Sequence, residues 1–528
     1  MRGAFASWNA AAVNSNPFEH YAAPADARAG AGAFMRACEF ALGGAEAGGR
    51  TFALADVLTE ARLDVLEGRL ARAGAWGREG ARAARRAFER DAGGGDAGGF
   101  LRDGDVGAKR LCSMPDRVTN TVRTVGGRVM CRPTVINCYG ERMRDEDDWF
   151  ERWVAYAFDA RATSADGTSR SMIDLMVPIK RAKYPAISEE EEALGIPLQV
   201  FYLAAFDGAW VRFATLAAGS FDAWQDIRAS LVDDLVTHKF SRTLDVVEKI
   251  LLSADAGSAL EVCFMQEVGA SLADALRARE GVRDSYEVLC PSDMDVKRDQ
   301  NSIVIVSKAF IKGAPVVEAT SDVLGALDAS AAGKFSKGDF CAFLVRGVLL
   351  CSYHGDTDGL QTKTITAAVH EYCERNEDVE ACVFGMDANT HSFHREGKKQ
   401  GVRDFIDFIH ASTSFKSCWT LADIDVERDA MTTFSARTFL QAQLNKAVPF
   451  AEVGVSELTD RHPKDHVLVR VKSGASVREA TVDRINAVDF AVDPPKALPF
   501  DADAMFPNAR FPSDHAAVVF RCLLPLDS

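Results

Sequence analysis

The chain has 528 residues, 47% of them hydrophobic and 32 of them Phe, which is ample for more than one core, and it carries a formal net charge of −15. That charge argues against a protein whose main work is coating nucleic acid, because such binding draws on clustered Lys and Arg, but it leaves room for a local basic groove. The opening stretch Met1–Asn9 lacks the sustained apolar core of a signal peptide. No run reaches the roughly eighteen uninterrupted apolar residues that span a bilayer. An intracellular chain, cytoplasmic or nuclear and without stable membrane insertion, is the expectation. The twelve Cys are scattered, several inside apolar strands (Cys263, Cys351, Cys382, Cys522), with no C-x-x-C pair. They read as free buried thiols rather than as disulfides or a zinc site.

In chain order, Gly3–Trp8 is a strand ending at Asn9. Phe34–Asp91 is rich in Ala, Arg, Leu and Glu, with Leu54, Leu58, Leu63, Leu66 and Leu70 spaced for an amphipathic helix or helical hairpin. Ala92–Gly99 (AGGGDAGG) reads as a flexible connector. Arg132–Tyr139 reads as a strand, and Ser188–Glu192 as a solvated acidic loop or the first turn of a helix. Pro197–Ala205 and Ala209–Ala217 read as two strands about a Phe206-Asp207-Gly208 turn. Leu231–Leu252 is helical by period.

From Glu261 onward short apolar strands alternate with helical patterns. Val262–Val268 is a strand ending in Gln266-Glu267-Val268, and Leu349–His354 is a strand ending in His. Leu360–Arg375 is predicted as a helix. Cys382–Asn389 is a strand ending in Gly385-Met386-Asp387-Ala388-Asn389, which puts Asp387 and Asn389 on one face if the strand continues that far. A further strand, Asp465–Val471, follows a turn. Ser513-Asp514-His515 then opens the apolar run Ala516–Phe520. Polar, metal-competent groups thus stand at the ends of several strands, where clefts form in layered α/β proteins.

The order Gln-Glu, His, Gly-x-Asp-x-Asn, Ser-Asp-His resembles the endonuclease/exonuclease/phosphatase superfamily of metal-dependent phosphoesterases. The resemblance covers Phe5–Asn9 and Leu244–Leu524. It implies an α/β fold of the DNase I-like kind: a four-layer sandwich of two packed mixed sheets flanked by helices. Residues 1–17 and 240–528 would form that domain, and 18–239 would be an inserted α+β region, a candidate cap. In the superfamily the first strand commonly ends in Trp-Asn or a similar pair with the Asn at the metal site. Asn9 takes that place here, with Asn137 and the end of the Phe213–Leu216 run as rivals.

The resemblance further implies Mg²⁺, or Mn²⁺ in its place, held by Glu267 and Asp514 with Asn9 in support. Asp387 would orient the attacking water, and Asn389 would donate to a phosphoryl oxygen. Asp465 would fix the tautomer of His515, and His354 would steady charge on the leaving side. Two departures from the family pattern are the rivals for the Asn position and an extra residue between Gly385 and Asp387. The implied substrate is a phosphate ester, either nucleic acid or a phosphorylated small molecule. The alternative is a catalytically silent binding protein that keeps the fold.

Overall fold

The computed structural model describes residues 2–12, 51–112, 121–123, 129–163, 167–252, 260–436, 459–472 and 476–525, with Asn16, Phe18, Phe34, Ala37 and Cys38. The chain divides into two compact units. The first comprises Met1–Val13, Thr237–Ser435 and Thr459–Ser528; the second comprises Asn14–Val236 and Ala436–Leu458. The sequence reading had kept Ala436–Leu458 with the first.

The strands of the first unit are, in order, β1 (Arg2–Asn9), β2 (Val262–Val268), β3 (Tyr286–Leu289), β4 (Asn301–Ser307), β5 (Val316–Glu318) and β6 (Phe340–Val345). They continue as β7 (Val348–His354), β8 (Ala381–Asp387), β9 (Lys416–Ser417), β10 (Asp465–Val471), β11 (Arg478–Ile485) and β12 (Ala517–Leu523). They form two six-stranded sheets, ordered β11-β12-β1-β2-β4-β3 and β9-β10-β8-β7-β6-β5. Each sheet is antiparallel except for one central parallel pair, β1 with β2 and β7 with β8. This is the mixed two-sheet sandwich that the superfamily resemblance leads one to expect.

Strict alternation of side chains builds the layers. Phe5, Val262, Phe264, Val304 and Val306 enter the core shared with Phe340, Leu350, Val383 and Phe384 of the other sheet. Their neighbours Ala4, Ala6, Trp8, Cys263, Met265, Ile303 and Ile305 face the other way, onto Leu244, Val247, Leu272 and Leu276 from covering helices. Helices Thr362–Arg375 and Val402–Ser412 bury Ile365, Val369, Phe405 and Ile409 against the second sheet. At Gly385 the sheets come so close that an added Cβ would lie 2.5 Å from the Phe264 side chain. The first residue of the Gly-x-Asp-x-Asn pattern is therefore a packing requirement. None of the twelve Cys, all among the described residues, is in a disulfide, and nine are buried.

In the second unit, helices Glu60–Ala73 and Gly77–Phe88 form the expected hairpin, burying Leu63, Leu66 and Leu70. Of the 34–50 part of that reading, only Phe34, Ala37 and Cys38 fall within the described residues. Ser188 caps the helix Glu189–Ala218 through a reciprocal bond with Glu191, so the acidic run is the helix's first turn.

Three expectations are corrected here. Ala92–Gly99 is not a free connector, because Asp96 caps a short helix at Ala97–Arg102. Arg132–Tyr139 is turn rather than strand, and Asn137 spends its amide on the Arg132 carbonyl at 2.8 Å, inside the second unit. The Phe206-Asp207-Gly208 hairpin is the middle of the helix Glu189–Ala218. Pro197 is tolerated there because Gly195 (φ 56°, ψ −128°) breaks the helix just before it. That helix is long and apolar enough to cross a bilayer by length and composition, yet 83% of its most apolar window is buried within the protein.

Asp207 makes no turn because Arg132 and Trp153 claim it. Arg132 Nε and Nη2 donate to its two oxygens at 2.6 and 3.2 Å, and Trp153 Nε1 donates at 2.8 Å. The carboxylate is fully buried. Asp207→Ala, which strands a buried guanidinium, is expected to lower stability by about 3–5 kcal/mol in urea unfolding. An unchanged midpoint would contradict this pairing.

Candidate active site

The two central parallel pairs end at one place. In register, Asn9 faces Gln266 and His354 faces Asp387, while Asp465 at the start of β10 faces Asp387 from its other side. Beneath them a buried polar link ties the sheets together: Gln266 Nε2 donates to Ser352 Oγ at 3.0 Å, and Ser352 Oγ donates to the Met265 carbonyl at 3.1 Å.

Asp387 is the common acceptor. Its Oδ2 accepts from Asn9 Nδ2 at 2.9 Å and from Asn389 Nδ2 at 3.3 Å. The same oxygen lies 3.9 Å from His354 Nε2 and 3.8 Å from His515 Nε2. Asn9 Nδ2 also donates to Glu267 Oε1 at 3.1 Å, so one amide spans two carboxylates. Glu267 Oε2 accepts from the Ala12 amide at 2.7 Å, and His354 Nε2 lies 3.3 Å from Oε1.

Two of these side chains stand on left-handed backbone. Glu267 (φ 54°) sits at a bulge where β2 slips one residue against β4, and the slip re-aims its carboxylate. Asn389 (φ 48°) lies past the end of β8. The same-face expectation for Asp387 and Asn389 is therefore replaced by a turn: the Asn389 amide donates to Asp387 Oδ1 at 2.9 Å. Each such residue costs about 1–3 kcal/mol of backbone strain and is retained where surrounding contacts over-determine it.

His515 Nδ1 meets Asp465 Oδ2 at 2.9 Å in a buried pair. Burial works against a charged His515, but Asp465 and then Asp387 outweigh it and raise its pKa to about 10. Burial also raises the Asp465 carboxyl, so the pair holds its proton firmly. Burial likewise opposes ionised Glu267, yet His354, Ala12 and Asn9 carry its pKa far below the usual carboxylate range. His354 is raised in turn by Glu267 against its own burial.

The loop bearing Asp514 is fixed to β1. Ser513 Oγ donates to the Asn9 carbonyl at 2.6 Å and accepts from the His515 amide at 3.0 Å, while Trp8 Nε1 donates to the His515 carbonyl at 2.9 Å. Buried Lys239 spans the same junction, donating to the Ala10 carbonyl at 3.0 Å and the Pro512 carbonyl at 2.5 Å. Thr432 Oγ1 accepts from the amides of Lys464 and Asp465, setting the start of β10. Sequence reasoning missed Ser352, Lys239, Thr432 and Ser513. Only Ser513, inside the Ser-Asp-His tripeptide, carried a sequence signal.

Asn9, Glu267, His354, Asp387, Asn389, Asp465 and His515 thus form one connected group. Asp514 follows Ser513 on the pinned loop, half-exposed, and its charge acts on Lys239, Lys464 and His515. Asn137 belongs to the second unit. Among the described residues, Asp387, Asp465 and His515 have ligand atoms within 4.8 Å of one another. The Asp465–His515 hydrogen bond joins two of them, and strand pairing sets Asp387 beside Asp465.

Hard oxygen donors suit Mg²⁺, and Glu267 and Asp514 supply carboxylates of that kind. Asn9 fits as a support for them rather than as an oxygen ligand, since its Oδ1 accepts from the Ala11 amide at 2.8 Å.

Residues 52–229, within the second unit, match a family described as "Domain of unknown function (DUF8234)". No curated protein matches the chain by sequence. Among solved structures the chain is similar to TDP2 of D. rerio complexed with single-strand DNA product, at 14% identity and a TM-score of 0.35, covering 56% of this chain and 96% of that one. It is also similar to a mannosyl-6-phosphatase of Bacteroides thetaiotaomicron VPI-5482 (13% identity, TM-score 0.30, 54% and 92% covered). A third is an endonuclease/exonuclease/phosphatase of Bacteroides vulgatus (14%, 0.33, 55% and 93%).

Asn9→Ala would leave Glu267 and Asp387 facing each other without the shared donor. A loss of about 1–3 kcal/mol is expected in chelator, with millimolar Mg²⁺ recovering part of it in thermal unfolding. If Mg²⁺ shifts neither the parent nor the variant, Glu267 is not part of a cation site.

Proposed function

We propose that the first unit is a divalent-metal-dependent phosphoesterase. The observation that carries this reading is the meeting of Asn9, Glu267, His354, Asp387, Asn389 and the Asp465–His515 pair at the ends of the two central parallel strand pairs. Such a set serves a reaction in which a nucleophile must approach a phosphoryl group that is already anionic. A catalytically silent binding protein has no chemical need for all of these groups in one place.

Glu267 and Asp514 would hold Mg²⁺ or Mn²⁺, with Asn9 fixing the Glu267 carboxylate; when bound, the cation would neutralise phosphoryl oxygens and acidify water. Asp387 accepts a hydrogen bond from the attacking water and aims it. Asn389 Nδ2 keeps one hydrogen on the Gly355 carbonyl at 3.0 Å and would turn the other, which it gives to Asp387 at 3.3 Å, toward a phosphoryl oxygen. His515, oriented by Asp465 at Nδ1, presents Nε2–H to the charge that develops on the phosphoryl group. His354 stands on the Glu267 side and supplies a proton to the leaving oxygen. The substrate is a phosphate ester, borne by nucleic acid or by a small molecule.

A panel of RNA, single-stranded DNA, abasic DNA and phosphorylated small molecules, assayed with Mg²⁺, tests the class. Asp387→Ala and His515→Ala are each expected to lower kcat at least about a hundredfold, and Glu267→Ala to raise the metal concentration for half-activity. Unchanged turnover in all three variants would remove these residues from the mechanism, and a parent inert on the whole panel would sink the enzyme reading.

The chain leaves the first unit soon after Asn9, and we propose that the inserted residues 18–239 act as a cap that sets substrate choice. Replacing residues 18–236 with a short linker, so that Lys239 and its bonds to the Ala10 and Pro512 carbonyls stay in place, is then expected to change the ranking of the panel. The same ranking and rates in a folded truncation would dispose of that role.

A further inference from the structure

A second cluster of charge in the first unit takes no part in the chemistry above. A cavity of about 180 Å³ is lined by Arg428, Arg461 and Arg484 together with Phe434, Phe500 and Thr433. Arg484 lies over the Phe500 ring at 3.9 Å, and Arg461 lies over the Phe434 ring at 4.7 Å. Each hydrogen-bonds to a backbone carbonyl: Arg484 Nη1 to Met431 at 2.6 Å, Arg461 Nη2 to Ala502 at 3.1 Å. Among the described residues, Arg428 alone of the three has a carboxylate partner, the adjacent Asp429 at 3.0 Å. The other acid on the wall, Asp501, already accepts from the amides of Asp503 and Ala504.

Two guanidiniums therefore share one cavity, both positioned by aromatic rings and neither in a direct ion pair among the described residues. Arg484 shows the consequence: burial lowers its pKa to about 10, with Asp429 opposing and Arg461 adding to the drop. Guanidinium forks of this kind match the geometry of phosphate oxygens. Because the faces of Phe500 and Phe434 are covered by the arginines, the rings hold the forks in place and are not free to stack on a ligand base. The volume suits a small anionic group and falls below the roughly 300–1,000 Å³ of a site that engulfs a whole ligand.

The cavity is joined to the reaction centre through the backbone. Thr433 on its wall pairs antiparallel with His515. We propose that the Arg428–Arg461–Arg484 cavity is an anion subsite that binds a second phosphate of the substrate, one that is not cleaved. This rests on the phosphoesterase reading for its link to turnover. Its chemistry, recognition of a phosphate group, is shared by a nucleic-acid backbone and by a multiply phosphorylated small molecule.

Binding is measured on the full chain in chelator, where no turnover occurs, with two probes: pyrophosphate by calorimetry and a fluorescent oligothymidylate by anisotropy. Arg461→Gln, at an exposed position, and Arg484→Gln are each expected to weaken binding about tenfold, the scale of one charge-assisted hydrogen bond, with unfolding midpoints measured to confirm that both variants fold. Arg283→Gln, outside the cavity, is expected to leave it unchanged. Where the oligothymidylate binds more tightly and loses more in the variants, the second phosphate belongs to a strand; where pyrophosphate does, it belongs to a small molecule. In turnover, Arg461→Gln raises KM for a multiply phosphorylated substrate with kcat held, and leaves a singly phosphorylated one unaffected. Affinity for both probes within twofold of the parent in Arg461→Gln, or no binding by the parent, overturns the subsite. Arginine-dependent binding in a protein inert on every ester would instead overturn the phosphoesterase reading and leave the anion site standing.

Discussion

One carboxylate oxygen, Asp387 Oδ2, has to accept from Asn9 of the first sheet and from Asn389 in the turn after β8, with an imidazole on either flank. Nearly everything else about the first unit serves that meeting. It requires the two parallel strand pairs to end at the same height, which the Gln266–Ser352 link enforces across the sheets. It requires the sheets to approach closely, which Gly385 permits over Phe264. An error of one residue in register would turn Asp387 into the core and bring Met386 to the site.

The group also has to manage its own charge. Four carboxylates (Glu267, Asp387, Asp465, Asp514) stand near two histidines and the buried Lys239, and Coulomb repulsion among them would be severe without compensation. The compensation is local and paired: Asp465 with His515, Glu267 with His354, and Asn9 between Glu267 and Asp387. Asp514 is left half-exposed with no fixed partner among the described residues, which makes its carboxylate available to a cation. In the arginine cavity three guanidiniums share the wall with two carboxylates, Asp429 and Asp501, and only Arg428 is in a direct ion pair among the described residues.

What the sequence disclosed, and what it hid, follows from the range of the interactions. Strands β2, β7, β8 and β10 are legible because a short apolar run with a polar residue at its end is a local fact, and those polar ends carried the superfamily resemblance. The placement of Glu267 on a bulge and of Asn389 in a turn was hidden, since both depend on a single φ angle that no residue type announces. Ser352, Thr432 and Lys239 act through hydrogen bonds to distant backbone and side-chain groups, and nothing in their neighbours marks them. Phe206-Asp207-Gly208 misled for the same reason. Asp and Gly carry turn chemistry, but here the Asp is spoken for by Arg132 and Trp153, 75 and 54 residues away, while helical periodicity is masked in a segment apolar on all sides.

The bond from Lys239 to the Ala10 carbonyl has a bearing on how the molecule is made. Strand β1 finds its neighbours in β2 and β12, so as the ribosome delivers the chain it waits, apolar and unpaired, while the whole inserted segment emerges. Closing a flexible loop of ~250 residues onto β1 would cost about 5 kcal/mol of chain entropy. A segment that folds first, with its own core, brings its two ends together before that closure is needed, and Lys239 then clasps the exit of the segment to its entrance. Synthesis thus separates β1 from both of its partners by the whole inserted segment. The hazard of that separation lies in β1, a bare strand edge for as long as translation lasts.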